Sequence, residues 1–270
     1  MSGSKEINNL TNDLPLVSII IPHFNGEDIL VECLQSLNES NYSNLEIIIV
    51  DNCSADSSIS VAKKKFSNIK VIYSHVNKGY AGGCNLGAKS AKGDYFFFLN
   101  NDTIQKPDCI NELMNTMLSD SSITVVQPKI LNYFNQNLFD YAGGSGGHLD
   151  VFCFPFARGR LFHSKEIDKG QYDDENEIFW ASGTGMLIKK NDFIKIGCFD
   201  ELFFAHQEEI DLQWKLHLLN KKIKVNPSGI LYHKNAMTLS SNSIKKHYLN
   251  HRNSLLMMMT NYSLLYLAYT

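Results

Sequence analysis

The sequence predicts an α/β domain in which a Rossmann-like, mostly parallel central sheet is flanked by helices. Two observations carry that expectation. Apolar runs of strand length stop abruptly at polar or acidic residues, and the stretches between them place apolar residues at helical spacing. Strand and helix alternate three times within about the first hundred residues, which implies right-handed crossovers and parallel strands.

The central strand is Tyr95-Phe96-Phe97-Phe98-Leu99, apolar without a break and bounded by Gly93-Asp94 and Asn100-Asn101-Asp102-Thr103. Such a run fits a strand covered on both faces. Ligands of open α/β sheets bind beyond the carboxyl ends of the strands, so Asp102 would be delivered there on a rigid stem. Asn-Asp-Thr equally suits a turn that caps the helix starting near Pro107. The first strand is Leu16-Val17-Ser18-Ile19-Ile20-Ile21, ended by Pro22. His23-Phe24-Asn25-Gly26 follows it, and then Ile29, Cys33, Leu34 and Leu37 at helical spacing. Leu45 to Val50 is the second strand and ends in Asp51-Asn52-Cys53-Ser54, where Asp56 or Ser57 can cap a helix carrying Val61, Ala62 and Phe66. Ile69 to Tyr73 is the third. Gly79 to Gly87 admits two readings: backbone that approaches a phosphate, or glycines that let a helix lie close on the sheet. A dinucleotide fingerprint would put its glycines in the first strand-helix turn, where only Gly26 stands, so an NAD-binding domain is disfavoured.

Beyond Pro107, Ile110, Leu113, Met114 and Met117 mark a helix, and Ile123 to Val126 a strand. From Asn132 to Glu177 the pattern decays around Phe152, Phe154 and Phe156, and an insertion of that length is a candidate lid. Ile178 to Ile188 reads as a strand with small residues in its middle. Lys222 to Val225 and Ile230 to His233 read as two short closing strands. A helix beginning near His206 or Gln207 crowds Glu208, Glu209 and Asp211 into its first two turns, where the helix dipole keeps a carboxylate ionised and able to accept a proton. Acidic decoration, with Asp211 and Lys215 as an i,i+4 pair, is the alternative. His233 at a strand end is either structural or a ligand.

A chain of 270 residues with 44% hydrophobic content suffices for one large α/β domain or two small ones. The formal net charge of −3, without a long block of like charge, argues against nucleic acid as the main partner. Six cysteines without a Cys-x-x-Cys pair read as buried thiols of a reduced compartment rather than disulfides or a zinc site. Met1 to Asp13 is polar, lacks the apolar core of a secretory signal, and reads as a frayed tail. No apolar run reaches the roughly 18 residues that a membrane-spanning helix needs.

Taken together, Val17 to Asn25, Ile49 to Asp56, Asn77 to Asn85, Phe98 to Thr103, Gly197 to Glu201 with Phe203-Phe204, and Glu208 to Leu212 resemble, in order and spacing, a family 2 glycosyltransferase of the GT-A fold. Arg252-Asn253, ahead of Leu255, Leu256 and three methionines, resembles the rhamnosyltransferase-like branch, whose members often build bacterial surface polysaccharides. The resemblance implies inverting transfer of a sugar from a UDP- or dTDP-sugar, dTDP-rhamnose among them, to a hydroxyl of a saccharide or lipid-linked saccharide. It implies that Asp51 accepts the imide N–H of a uracil or thymine. Pro22, Phe24, Asn25, Gly79, Asn85 and Asn101 would complete the nucleotide site. Asp102, with His233 as a further ligand, would hold Mg2+ or Mn2+ against the donor diphosphate. Glu209 falls where the family carries its catalytic base, with Glu208 and Asp211 beside it.

The expected organisation is a tail over 1–15, a GT-A domain over 16–240 and a C-terminal helical segment over 241–270. Within the domain, 16–130 would be the nucleotide-binding half, and 131–240 the acceptor and catalytic half with its acceptor-side insertion. Three positions depart from the family pattern: Asn100 stands for the first Asp of Asp-x-Asp, Glu209 for the commoner Asp, and Lys234-Asn235-Ala236 for the glycines usual after the histidine. A nucleotidyltransferase would carry Arg and Lys in a glycine-rich loop after the first strand, and His23 to Gly26 lacks them. A catalytically silent nucleotide- or carbohydrate-binding module is the other alternative. Ile244 to Thr270, amphipathic to apolar, suits either peripheral contact with the cytoplasmic face of a membrane or a helix covering the core.

Overall fold

A computed structural model describes residues 14–161, 164–234 and 244–263. The expected tail over 1–13, the Asn235-Ala236 departure and the apolar Leu264 to Leu267 lie outside them. In chain order the first half holds β1 (Val17–His23), α1 (Glu27–Asn38), β2 (Leu45–Asp51), α2 (Ser58–Lys65), β3 (Ile69–Tyr73), α3 (Gly79–Ala88), β4 (Tyr95–Leu99), β5 (Thr103–Gln105), α4 (Cys109–Ser119) and β6 (Ile123–Asn132). The short strands β7 (Gly147–Leu149), β8 (Pro155–Ala157), β9 (Arg160–Leu161), β10 (Ser164–Lys165) and β11 (Asn176–Glu177) follow. The chain then runs through β12 (Gly185–Lys189), α5 (Lys190–Lys195), α6 (Glu208–Leu218), β13 (Lys222–His233) and α7 (Ile244–Asn261).

The main sheet runs β11-β13-β6-β12-β4-β1-β2-β3, with β5 paired to β13. β3, β2, β1 and β4 are parallel, β6 and β13 are parallel, and β12 runs against both β4 and β6. The strand residues alternate between two cores, as period-2 geometry requires of a sheet covered on both faces. Ile19, Ile21, Ile47, Ile49, Phe97 and Leu99 pack toward α1 and α4, through Leu30, Leu34, Ile110 and Leu113. Ile20, Ile48, Val50, Phe96 and Phe98 pack toward α3, α5 and α6, through Cys84, Phe193 and Leu212. The GT-A architecture expected from the sequence is present: a mostly parallel α/β sheet between helical layers.

Several expectations need correction. Ile178 to Ile188 is a strand only from Gly185, because the small residues before it leave their backbone to other partners. Gln213 bonds both N–H and C=O of Ala181, and Gln127 takes the N–H of Ser182. The two closing strands are one, β13, broken by an irregularity between Asn226 and Ile230. The decayed stretch is no free lid among its described residues. It builds a second antiparallel sheet, β10-β9-β8-β7, and is docked through fully buried Phe139 and through Lys129, which pairs with Asp168 and Asp173. Cys53 is exposed rather than buried, and all six cysteines are free. A third core joins this sheet to α6 and α7 through Cys153, Trp180, Phe203, Ile210, Trp214 and Met257. Among the described residues no helix is long and apolar enough to cross a membrane.

Candidate functional site

The carboxyl ends of β1, β2 and β4 bring three loops together. β1 and β2 pair in register so that His23 lies beside Asp51. Their loops are then tied across one strand spacing. Asn25 N–H donates to Ser54 Oγ (3.0 Å), Ala55 N–H to Asn25 Oδ1 (2.8 Å) and Gly26 N–H to Asp56 Oδ2 (2.6 Å). Buried His23 bridges to the third loop: Asn101 Nδ2 donates to its Nδ1 (2.8 Å), and its Nε2 meets Ser58 Oγ (2.8 Å), which donates on to Asp56. Burial lowers the His23 pKa against the pull of Asp56 and Asp51, so the ring is a neutral spacer with one tautomer fixed. Asp51 accepts from Ser54 N–H (2.8 Å) and borders an open cleft of about 460 Å³ with Ser54, Asp56, Ile59, Lys63 and Tyr73. Phe24 is exposed in the loop after β1, and Pro22 is partly covered by α3.

Asp102 lies three residues beyond β4 and is almost fully buried. β5 pairs with the end of β13, which sets His233 opposite Thr103 and brings His233 Nε2 to 3.2 Å from Asp102 Oδ1. On its other side, His233 Nδ1 meets Oδ1 of Asp140 at 3.0 Å. Burial would lower the pKa of this ring, yet the hydrogen bonds and charges of Asp102 and Asp140 outweigh it and raise the value to about 10. The 3.2 Å separation is longer than the roughly 2.7–2.9 Å of a tight charge-assisted bond. It is close to the roughly 3 Å between neighbouring ligands of an octahedral ion whose bonds are about 2.0–2.1 Å. A ligating histidine ordinarily gives its second nitrogen to a carboxylate, and Asp140 is placed to receive it. A protonated ring cannot ligate; with the Nε2 proton displaced, Asp102 and His233 would offer one carboxylate oxygen and one imidazole nitrogen to a divalent cation. Among the described residues no cluster of three or more His, Cys, Asp or Glu could hold a metal unaided.

The acidic start of α6 is tied to the Asn100 to Asp102 loop through one turn. Glu209 is partly buried. Burial lifts its pKa above the usual carboxylate range, opposed by N–H groups that include that of Gly183. The neighbouring Thr184 carbonyl accepts from Asn100 N–H (3.1 Å), at the head of the Asn100 to Asp102 loop. Tyr80 of α3 fixes the turn by donating to Gly183 O (2.5 Å). Gly183-Thr184 thus touches both acidic segments. Glu208 is more deeply buried and its pKa is raised further from the ordinary value by burial and then by Glu209. Among the described residues, eight buried side-chain polar atoms have no partner, and four belong to consecutive residues: His206 Nε2, Gln207 Oε1, Glu208 Oε2 and Glu209 Oε2. Unsatisfied groups concentrated in this way leave four side chains open to bond an ordered water or a ligand.

Three of the residues singled out from the sequence are used elsewhere. Asp211 is turned to α7: its carboxylate takes Lys215 Nζ (2.6 Å), Asn261 Nδ2 (2.7 Å) and Thr260 Oγ1 (3.1 Å), so its oxygens are engaged in bracing α6 to α7. Asn85 spends its amide on Phe199 O (2.8 Å), Phe199 N–H (3.1 Å) and Glu201 (3.2 Å). Gly79, at φ +70°, lets the Phe204 carbonyl approach where a Cβ would stand. That carbonyl takes the first N–H groups of α3, from Tyr80 (2.7 Å) and Ala81 (3.3 Å), and so competes with any phosphate there. Gly83 and Gly87 hold α3 close to Pro22, Ile20 and Val50, which is the packing reading of the glycine-rich stretch. Sequence reasoning missed His23, Tyr80, Asp140 and Gly183. Asp140 lies in the stretch without periodicity, and the one signal for it was that a ligating His233 needs a second acceptor.

The family model described as Glycosyl transferase family 2 matches residues 18–197. Glycosyltransferase GlyG of Streptococcus pneumoniae is 25% identical over 225 residues, 80% of this chain and 70% of that protein. An uncharacterised glycosyltransferase of Rickettsia typhi is 30% identical over 199 residues, 73% of this chain and 57% of that one. Among solved structures, GalNAc-T7 with UDP, GalNAc and Mn2+ superposes with a TM-score of 0.73 at 16% identity, covering 92% of this chain and 48% of that one. Mannosyltransferase PcManGT of Pyrobaculum calidifontis, in complex with GDP-Man and Mn2+, gives 0.60 at 14% identity over 83% of this chain and 58% of that one. S. aureus TarS 1–349 with UDP gives 0.61 at 17% identity over 91% of this chain and 66% of that one. The chain thus spans about half to two thirds of most of these proteins.

Proposed function

The chain belongs to glycosyl transferase family 2, and from that premise we propose that it is an inverting glycosyltransferase. It would move a sugar from a UDP- or dTDP-sugar, dTDP-rhamnose among the donors to test, to a hydroxyl of a saccharide or lipid-linked saccharide in cell-surface polysaccharide synthesis. The observation that carries the reading is the Asp102–His233 pair, 3.2 Å apart and backed by Asp140. These two residues would hold Mg2+ or Mn2+, which offsets the charge that grows on the departing diphosphate. Asp51 would accept the imide N–H of the pyrimidine, Phe24 and Pro22 would line the base, and Asn25 and Asn101 would set the loops around it. Glu209 would take the proton of the acceptor hydroxyl as that oxygen attacks the sugar C1 opposite the leaving group. Its raised pKa suits a base working near neutral pH. Attack from that side inverts the anomeric centre and needs no covalent nucleophile.

The test is calorimetric binding of UDP, dTDP and GDP, each with and without Mn2+. Wild-type protein is expected to bind one of them more tightly with the metal, and Asp102→Ala to lose the metal-dependent part. Equal affinity of both proteins in both conditions overturns the metal assignment. A lipid-linked acceptor also calls for a membrane face. α7 exposes Ile244, Tyr248, Leu255 and Met259 along one stripe, carries Lys245, Lys246 and Arg252, and has no acidic residue. The β7–β8 connection exposes Val151, Phe152 and Phe154, and Tyr262 just past α7 bonds Val151 O (2.7 Å). Co-sedimentation with phosphatidylglycerol vesicles is expected to fall when Phe154 and Leu255 become serine; no binding by the wild type overturns the membrane contact.

A further inference from the structure

The segment that feeds α6 is bent in a way its residues do not favour. His206 and Gln207 have positive φ, 72° and 69°, and Phe204, at φ 64° and ψ −59°, is the centre of a γ-turn closed by Ala205 N–H on Phe203 O (2.7 Å). Non-glycine residues with positive φ cost about 1 kcal/mol or more each and persist only when their surroundings hold them. The carbonyls of this segment divide between two helices. That of Phe204 points to the start of α3. Those of Leu202, Phe203, Ala205 and His206 all go to adjacent residues on one turn of α7, Arg252 and Asn253.

Asn253 is fully buried, with Nδ2 at 3.0 Å from Phe203 O, 2.9 Å from Ala205 O and 2.6 Å from His206 O. Arg252 fixes which way that amide faces: its Nε and Nη2 donate to Asn253 Oδ1 (3.0 and 2.8 Å), while Nη2 also reaches Leu202 O (2.7 Å) and Phe203 O (3.0 Å). Next to them, Gln207 Nε2 donates to Ser254 Oγ (2.9 Å). We infer that Arg252 and Asn253 are positioning residues for the transfer reaction: they hold the strained approach to α6 and so fix where the Glu209 carboxylate stands. The inference rests on the reading of Glu209 as the base. Only a planar group with an acceptor on one side and two N–H on the other can take the arginine and the carbonyls together. Aspartate would set a charged oxygen against three carbonyl oxygens, and arginine would still hold it in place.

The experiment compares wild type with Asn253→Asp and Arg252→Gln. It reads amide hydrogen exchange over residues 202–210, UDP binding with Mn2+, and the kcat and KM for nucleoside diphosphate release from whichever of UDP-, dTDP- and GDP-sugars the protein turns over with water as acceptor. Asn253→Asp is expected to exchange faster at Ala205 to Ile210, to bind UDP within about twofold of wild type, and to lose about 100-fold in kcat with KM little changed. Misplacement of a catalytic group by about 1 Å has that effect. Arg252→Gln, which leaves the asparagine free to rotate, is expected to lose about tenfold in kcat with the same split, and it decides the matter if Asn253→Asp does not fold. Unchanged exchange or unchanged kcat in a folded variant overturns the inference, as does a parallel loss of UDP binding, which would mark a general structural role. Faster exchange together with full turnover by Glu209→Gln overturns only the assignment of the base.

Discussion

The two acidic regions of the site are held by different means. Asp51 and Asp102 stand at or just past the ends of strands whose cores are closed beneath them, and their loops are bonded to one another across neighbouring strands. Glu208 and Glu209 stand at the start of a helix entered through left-handed residues, braced by a helix some forty residues further along the chain. A carboxylate on a strand tip inherits its position from the sheet. One on a helix start is placed only as well as the loop that feeds the helix. Donor-side geometry is therefore a property of the fold itself, whereas the basic side depends on a brace supplied from elsewhere.

The sharpest way to break this division is Glu209→Gln. If Glu209 is the base, this variant keeps nucleoside diphosphate binding and loses transfer by about 10²- to 10⁴-fold, the usual worth of a positioned base. The base must be deprotonated to act, and burial raises its pKa above the ordinary 4.5. Wild-type turnover is therefore expected to rise with pH through that raised value, and the variant's residual rate to lack that acidic limb. If Glu208→Gln shows this behaviour and Glu209→Gln does not, the base is the other carboxylate.

Next in size is Asp211→Ala, which tests whether the third acid of α6 belongs to the brace or to the chemistry. Its buried carboxylate holds Lys215, Thr260 and Asn261, so removal leaves donors without an acceptor between α6 and α7. The expected cost is about 2–3 kcal/mol of stability, read as a lower urea midpoint, with UDP binding by the folded protein unchanged. Full stability with transfer abolished would return Asp211 to the site.

The same division governs what could be read from the sequence. The strands and the acids at their tips were legible because each is a local pattern: an apolar run such as Tyr95 to Leu99, then a polar stop. The helices α1 and α4 announced themselves in the same way, through Cys33, Leu34 and Leu37, and through Ile110, Leu113 and Met117. What was not legible depends on partners far apart. Nothing around Asp140 says that it backs His233, 93 residues away. Asp211 and Glu209 are both acids at the start of one helix, and only the docking of α7 separates their roles. The short sheet β7–β10 escaped because strands of two or three residues carry no period to detect.

The smallest effect expected, and the one most specific to the basic side, concerns Glu208. Its carboxyl is buried with Oε2 unpartnered, and burial together with Glu209 raises its pKa in the folded chain above the ordinary 4.5. The folded state then binds a proton that the unfolded chain has released. The contribution to stability is complete below about 4.5 and is lost as pH rises through the folded-state value. Glutamine has the shape of the protonated acid and never ionises. Glu208→Gln is therefore expected to melt close to wild type at pH 4 and above it at pH 8, with the gap widening as pH rises. A Glu208→Gln gap that is flat with pH would mean the carboxyl ionises freely, and the difference drawn between the two acidic regions would lose its electrostatic half.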